Sequence, residues 1–471
     1  MTKIDNILTQ VGNNIIPTYS DRRKITRITQ DLIKKLSFEF KKSNIIANIT
    51  VEGSVAKDTW LREDPDIDIF VHLPLSLSKE DFKNILKIAK KATKNSKHIE
   101  RYADHPYLET FIDDIRVNIV PCYIVKKGNW KSATDRTAFH TKYINKHLKP
   151  ELKNEVRLLK KFFKGINVYG AEIKTSGFSG YLCELLILKY KSFIKTIKIF
   201  SKFKTTIIID QNKYYSDKKI DLAKIFFDPI IVIDPIDKNR NVASAVKSKK
   251  LYTLIGAARA FLLKPSVKFF SPPNIDSFTT QHLKENLENR GSSVLFIILD
   301  NINSVPDVLW GQLYKTQKTL GKLLKHNDFK ILRNEVWTDE RTLIIFVIEL
   351  EKVEIPNIKC HIGPPLRFEK QCDIFLSKHM ENPSVISGPY IQNKRWIILS
   401  SRTFFNAKDL LEEKLTNYGQ NIGIPKLISK AFQQNMRILI NDEIMEIYKQ
   451  NSEFAVFLSS FLIGKPFWLE S

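Results

Sequence analysis

The chain of 471 residues is poor in cysteine and short of acid. Its four cysteines, Cys122, Cys183, Cys360 and Cys372, form no CxxC pair. That argues against a structural zinc site and leads us to expect buried, reduced thiols in a cytoplasmic protein. The opening MTKIDNILTQ lacks the apolar core of a secretory signal. The apolar stretch Phe454 to Ile463 is too short to span a bilayer, so no membrane partner is expected. There is no internal repeat and no low-complexity segment. Acids number 51 against 75 Lys and Arg, a net charge of +24. A surplus of that size repels itself, and a polyanionic partner relieves it. Doublets such as Lys34-Lys35, Lys126-Lys127, Lys160-Lys161 and Lys249-Lys250 spread the charge along the chain. This suggests a long phosphate-tracking surface, although a solubility requirement would leave the same mark.

What is present supports packed domains. Hydrophobic residues make up 43% of the chain and charged residues 27%, well mixed, which excludes wholesale disorder. The length suggests about two to four domains. Ile25, Ile28, Leu32, Leu36 and Phe40 recur at helical spacing, with Ser20 and Asp21 as start signals. Ile45 to Val51 reads as a strand broken by Gly53-Ser54, and Ile67 to His72 as a second strand. Ser78 and Asp81 resemble a capping box. Tyr107 to Ile112 and Ile115 to Val120 read as a hairpin with Asp113-Asp114 at its turn, ended by Pro121. Helical spacing returns at Val156, Leu159, Phe163 and Ile166, and another helix is expected after Gly177-Phe178-Ser179-Gly180. Further on, strands at Ser293 to Leu299 and Arg341 to Leu350 flank a helix at Asp307 to Lys325. A β-α-β order would suit a sheet platform for RNA.

The sharpest constellation is Gly53-Ser54 followed by Asp66-Ile67-Asp68. Side chains at i and i+2 of a strand share a face. Two carboxylates there repel unless a cation or hydrogen bonds neutralise them. Mg²⁺ accepts carboxylates together with phosphate oxygens, and two metals about 3.5–4 Å apart can clamp both oxygens of a phosphoryl transfer. A Gly-Ser turn after a strand lets backbone amides approach a triphosphate, and Lys57 can add positive charge. By itself D-x-D is compatible with a solvated edge strand.

GSVAKDTWL, DPDIDIFV, RYADHPY, VPCY, KSATDRTAFHTKY, NEVRLLKKFFK, YGAE, GFSGYLCELLI and DPIDKNRNVAS occur in this order. In that order they resemble the archaeal-type CCA-adding enzymes, the class I tRNA nucleotidyltransferases of the polymerase-β-like superfamily. The likeness is dense from Gly53 to Val246 and continues faintly to Arg402-Thr403-Phe404-Phe405 and Gly419. It implies an α+β protein with three parts: a nucleotidyltransferase head at 1–147, a helical neck at 148–265, and an α/β body and tail binding tRNA at 266–471. It implies addition of C, C and A to tRNA from CTP and ATP without a template, a Mg²⁺ cofactor and a homodimer. Gly53, Ser54 and Lys57 would meet the nucleotide phosphates, and Asp66 and Asp68 would bind metal. His140, Lys160 and Tyr169 would touch triphosphate or ribose, and Arg240 would read the base edge.

Each of these residues also has a plainer reading. His140 could be a satisfied helix-start histidine, Lys160 a solvated neighbour of Leu159, and Tyr169 turn packing. Arg240 could pair with Asp234 or Asp237.

The family's third carboxylate, on the strand before VPCY, is Asn118 here. An amide offers a metal one uncharged oxygen and is no useful base. Asn118 could serve as a neutral ligand, or could inactivate the enzyme. Asp104, Asp113 or Asp114 could substitute, although the last two sit at the turn. An A-only transferase of the same superfamily and a non-catalytic RNA-binding protein remain as alternatives.

Overall fold

The computed structural model describes residues 2–469 except 79, 103–104, 205, 216–221 and 301. It divides into two packing units, Met1–Asn274 with Lys465–Ser471, and Ile275–Gly464.

The first unit begins with helices α1 (Lys3–Ile15) and α2 (Tyr19–Lys42). Ile25, Ile28, Leu32, Leu36 and Phe40 are all buried along one face of α2, as their spacing predicts. The helix starts earlier than Ser20. Thr18 and Asp21 form a reciprocal capping box, the Thr18 N–H donating to Asp21 at 2.8 Å and the Asp21 N–H to the Thr18 hydroxyl at 3.2 Å. The C-terminal end of α2 explains why the first strand begins later than Ile45. Asn44 takes a left-handed φ of 55°, and the Ile45 N–H bonds back to the Phe40 carbonyl at 3.0 Å.

A five-stranded sheet follows, built from β1 (Asn48–Glu52), β2 (Asp66–Leu73), β3 (His98–Tyr102), β4 (Pro106–Ile112) and β5 (Ile115–Tyr123). Its order is β1-β2-β5-β4-β3, with only the central β2–β5 pair parallel. Helix α3 (Gly53–Lys57) springs from the end of β1, and α4 (Phe82–Ala92) follows β2. Ser78 and Asp81 make the expected reciprocal bonds just ahead of α4. The β4–β5 turn carries positive φ at both Asp113 and Asp114, the twist a two-residue hairpin prefers. Pro121 does not end β5: its parallel ladder to β2 carries the strand on to Tyr123. On β2, Ile67, Ile69, Val71 and Leu73 are fully buried against α2 and α4. Strand alternation therefore turns Asp66 and Asp68 to the opposite face of the sheet.

Helices α5 (Thr137–His147), α6 (Lys153–Gly165), α7 (Gly180–Tyr190) and α8 (Phe193–Ser201) build a second core with the helix Ser248–Leu263. Ile7, Val11 and Ile15 of α1 join this core. Val156, Leu159, Phe163 and Ile166 are buried as expected. A small sheet of β6 (Ile207–Ile209), β7 (Ile230–Asp234) and β8 (Asp237–Asn241) also lies here, which helical periodicity gave no sign of.

The second unit holds a four-stranded antiparallel sheet of β9 (Ser293–Asp300), β10 (Ile331–Thr338), β11 (Leu343–Leu350) and a C-terminal strand, Arg437–Ile440. The helix Pro306–His326 packs on one face and the helix Ser452–Ile463 on the other. The order is β-α-β-β, because β10 intervenes before the expected second strand. That strand starts at Leu343 instead of Arg341: the Asp339 carboxylate accepts the N–H groups of Arg341, Thr342 and Leu343, which fixes a turn there. A separate three-stranded sheet comprises Ile358–Pro365, Arg395–Ser401 and Val385–Gln392. Cys122, Cys183 and Cys372 are buried, but Cys360 is exposed, because the strand around it, Ile358 to Ile362, is exposed throughout. Among the described residues no helix is long and apolar enough to cross a membrane.

Phe162 sits at the centre of the helical core, with ring centroids of Phe193, Phe261, Phe269 and Phe270 all within 5.8 Å. Phe162→Ala should therefore cost about 3–5 kcal/mol of stability, read from urea unfolding of the full chain.

Candidate active site

The site begins where β1 ends. Glu52 pairs with Asp68 across the β1–β2 ladder, and the next residue, Gly53, adopts a left-handed φ of 68°. A Cβ at Gly53 would fall 2.0 Å from an Asp68 carboxylate oxygen. The position therefore demands glycine twice, for its backbone angle and for its closeness to the acid. The bend and the two acids share one place, as a nucleotide–metal site requires.

Each acid faces a partner on β5. In the parallel register Asp66 lies opposite Arg116, and Asp68 opposite Asn118. Arg116 donates from Nε and Nη2 to the two Asp66 oxygens at 2.6 and 2.5 Å. The Asn118 amide donates to Asp68 at 3.0 Å. Protein crowds Asp68 while leaving it some contact with water. Burial pushes its carboxyl up to about 6; the Asn118 hydrogen bond opposes this and the neighbouring Asp66 charge adds to it.

Ser54, Asp66, Arg116, Lys160, Lys164 and Tyr169 line a cleft of about 340 Å³. A second, more apolar hollow of about 250 Å³ is lined by Asp68 together with Asn118, Phe70, Tyr107 and Val120. Asp66 thus borders one cavity and Asp68 the other.

Behind the cleft lies a buried charged network. Glu184 on α7 accepts Lys57 Nζ and the Thr59 hydroxyl, both at 2.6 Å. Lys160 Nζ donates to the Thr59 carbonyl and hydroxyl at 3.0 Å and lies 3.6 Å from Glu184. All four residues are buried. Burial alone would raise the Glu184 carboxyl, but Lys57 and Lys160 outweigh it and hold the group below the usual carboxylate range. Two lysines thus share one carboxylate, and Lys160, whose ammonium burial holds below its ordinary value, also lines the cleft. The reading of Lys160 as a solvated neighbour of Leu159 fails, because Lys160 is buried against Thr59. Lys57 points at Glu184. Tyr169 keeps its phenol proton, since burial raises that group well above its ordinary value. A Cβ on Gly180 would lie 3.0 Å from the Tyr169 hydroxyl and 3.5 Å from Lys160 Nζ, so these two meet at the start of α7.

His140 and Arg240 belong to an adjoining cluster built on Asp234. His140 Nε2 lies 2.9 Å from Asp234, Arg240 donates at 2.8 Å and the Tyr181 hydroxyl at 3.2 Å. The His140 and Tyr181 ring centroids lie 4.0 Å apart with the planes tilted by 30°, and Lys57 Nζ lies 5.7 Å from the Tyr181 ring. Lys57 therefore links the two clusters.

Sequence reasoning did not single out Glu184, Thr59, Tyr181 or Arg116. Glu184 had a signal: a lone acid in the apolar run Leu182 to Leu188 must find a buried cation. Arg116 had one too, two residues from Asn118 and so on its face. Of the acids weighed as substitutes for the third carboxylate, Asp113 pairs with Arg27 at the hairpin turn, and Asp104 lies outside the described residues. Among the described residues no group of three acids, histidines or cysteines could hold a metal ion.

Three family models match the chain in succession: a nucleotidyltransferase domain over residues 30–144, a tRNA nucleotidyltransferase second domain over 154–271, and a CCA-adding enzyme C-terminal domain over 290–441. Curated relatives span almost the whole chain. The CCA-adding enzyme of Methanosarcina mazei is 34% identical, covering 95% of this chain and 96% of its own. That of Methanosarcina acetivorans is 33% identical with the same coverage, and that of Methanocaldococcus jannaschii 35% identical over 90% and 94%.

The chain belongs to the CCA-adding enzyme family.

It is a nucleotidyltransferase that adds CCA to tRNA, with the mixed helices and sheets of an α+β member of the nucleotidyltransferase superfamily. Enzymes of this superfamily use divalent metal ions. The residues present fit such an ion: two carboxylates on one face, one of them raised by burial in a way that a cation would relieve.

Asp68 ties function to stability with a definite sign. Below its ordinary value of 3.8, folded and unfolded chains both hold the proton; above about 6 the folded chain bears the full cost of a crowded charge. Asp68→Asn should therefore stabilise the metal-free protein at pH 7.5 by about 1–2 kcal/mol and give no gain below pH 4, measured by denaturant unfolding. Divalent-ion affinity of the native chain should fall as pH drops through about 6, measured by Mn²⁺ titration.

Proposed function

We propose that this chain completes and repairs tRNA 3′ ends by adding C, C and A from CTP and ATP, template-free, with Mg²⁺ as its metal. The contact between Gly53 and Asp68 carries this reading, because it joins the phosphate-binding bend to the acidic pair. The triphosphate lies along the cleft beside Ser54, Lys160 and Tyr169. When bound, the metal neutralises phosphate charge beside Asp66 and Asp68 and lowers the barrier to losing the 3′-hydroxyl proton. The tRNA 3′-oxygen attacks the α-phosphorus in line and pyrophosphate leaves. The chain's own share is positioning and charge complementarity. The Lys57–Glu184–Lys160 network fixes the positive wall of the cleft. Asp234 fixes His140 and Arg240, and the planar Arg240 fork reads the base edge that separates C and A from U and G.

The basic surplus serves the tRNA backbone. We assign residues 1–147 to the head, 148–265 to the neck and 266–471 to the tRNA-binding body and tail. We further propose a homodimer acting in the cytoplasm, checked by light scattering of the purified chain.

The decisive assay supplies CTP, ATP and Mg²⁺ to tRNA truncated before CCA. Ordered addition of C, C and A is expected. No incorporation, even by Asn118→Asp, would overturn the reading, as would long runs of A alone. In the same assay Arg240→Ala should reduce discrimination against UTP and GTP by roughly 10-fold. Its unfolding midpoint should stay close to that of the parent, since His140 and Tyr181 still hold Asp234. Unchanged selection would remove Arg240 from that role.

A further inference from the structure

The register that pairs the acids with β5 also fixes the charge of the metal site. Opposite Asp66 and Asp68 stand Arg116 and Asn118, and neither is an acid. Two divalent ions held side by side require enough negative charge to offset their repulsion. Here two carboxylates supply it, and Arg116 cancels one of them. Relative to a centre with a third carboxylate, Asn118 removes one negative charge and Arg116 adds one positive. The difference equals the charge of one divalent ion.

The geometry of Arg116 suits it to that place. It spans both Asp66 oxygens, at 2.6 and 2.5 Å, and lines the same cleft as Ser54, Lys160 and Tyr169. A guanidinium carries five N–H donors in a rigid fork, and this pairing uses two. No other acceptor engages Arg116 among the described residues, and its side chain is 42% exposed, so its free edge meets the cleft. Each carboxylate oxygen has two lone pairs, so Asp66 can keep Arg116 and still coordinate a cation.

We propose that Arg116 takes the place of one of the two divalent ions, so that this chain transfers nucleotides with a single metal. The inference rests on the function proposed above. Asp66 and Asp68 would hold the single ion that accompanies the triphosphate. The free N–H groups of Arg116, which lines the cleft with Ser54, Lys160 and Tyr169, meet the α-phosphoryl oxygens from that side. As the tRNA 3′-oxygen bonds to the α-phosphorus, the bond from phosphorus to the bridging oxygen breaks. Pyrophosphate leaves with that electron pair, and the hydroxyl proton passes to water. Arg116 offsets the charge building on the phosphoryl oxygens. It cannot accept the proton, because guanidinium does not titrate in this range, and Asn118 cannot either.

The experiment counts bound Mn²⁺ by electron paramagnetic resonance on the full chain, saturated with a non-hydrolysable CTP analogue and truncated tRNA. CTP incorporation is measured in parallel. One Mn²⁺ per site is expected for the parent, and two for the double variant Arg116→Gln with Asn118→Asp. Arg116→Gln alone should keep analogue binding and one Mn²⁺ while losing roughly 100-fold in kcat, and Arg116→Lys should lose less. Two Mn²⁺ of comparable affinity in an active parent would overturn the single-metal assignment and leave the proposed function standing. An Arg116→Gln variant with unchanged kcat would do the same. A parent that neither binds the analogue with Mn²⁺ nor incorporates C would remove the functional reading and this inference together.

Discussion

The close approach of the Gly53 backbone to the Asp68 carboxylate is the constraint from which the rest of the site follows. It exists because β1 and β2 pair in a register that sets Glu52 against Asp68, so the chain must turn at the next residue, directly over the acid. A side chain there would occupy the space of the carboxylate itself. In the function proposed above, a triphosphate held at this turn lies within reach of Asp66 and Asp68. The turn also launches α3, which delivers Lys57 to Glu184 and so ties the sheet to α7. A single backbone contact links the proposed phosphate and metal sites to the packing of sheet against helices.

The buried trio of Lys57, Glu184 and Lys160 illustrates what such a site costs. Removing three charges from water is expensive, and apolar residues of similar volume would pack there more cheaply. What the network provides is placement. Two lysines share one carboxylate and Thr59, so neither ammonium can wander, and Lys160 lines the cleft. Asp68 bears the same kind of cost with the opposite sign. The fold holds a carboxylate where burial disfavours its charge, and a cation recovers the loss. Stability is given up at both places to prepare charges for a phosphorylated substrate.

Much of this was legible in the sequence, and the limits have physical causes. Strand alternation placed Asp66 and Asp68 on one face without further information, because the two-residue period is a covalent property of the extended chain. The α2 stripe, the Asp113-Asp114 turn and the helix after Ser179 were readable because local residue chemistry decides them. Partners brought together by tertiary pairing were not. Lys160 follows Leu159 on α6, and periodicity assigns it to solvent; only Glu184 and Thr59, brought from α7 and the segment after α3, explain why it is buried. The sheet of β6 to β8 escaped for a related reason. A short buried run such as Ile230 to Asp234 has no alternation to distinguish it from a helix segment.

Asn118 shows why one position cannot be read alone. Taken by itself it is a missing charge and an argument for a dead site. The parallel ladder adds what the linear order conceals: the neighbour that shares its face, Arg116, stands opposite Asp66 and is engaged with it. A metal site responds to its total charge and to the positions of its donors, so the amide of Asn118 and the guanidinium of Arg116 on one face act together. On the proposal made above, they lower the demand for a second divalent ion and supply a fixed cation beside Asp66. On that reading the site offsets phosphoryl charge with a guanidinium held by Asp66.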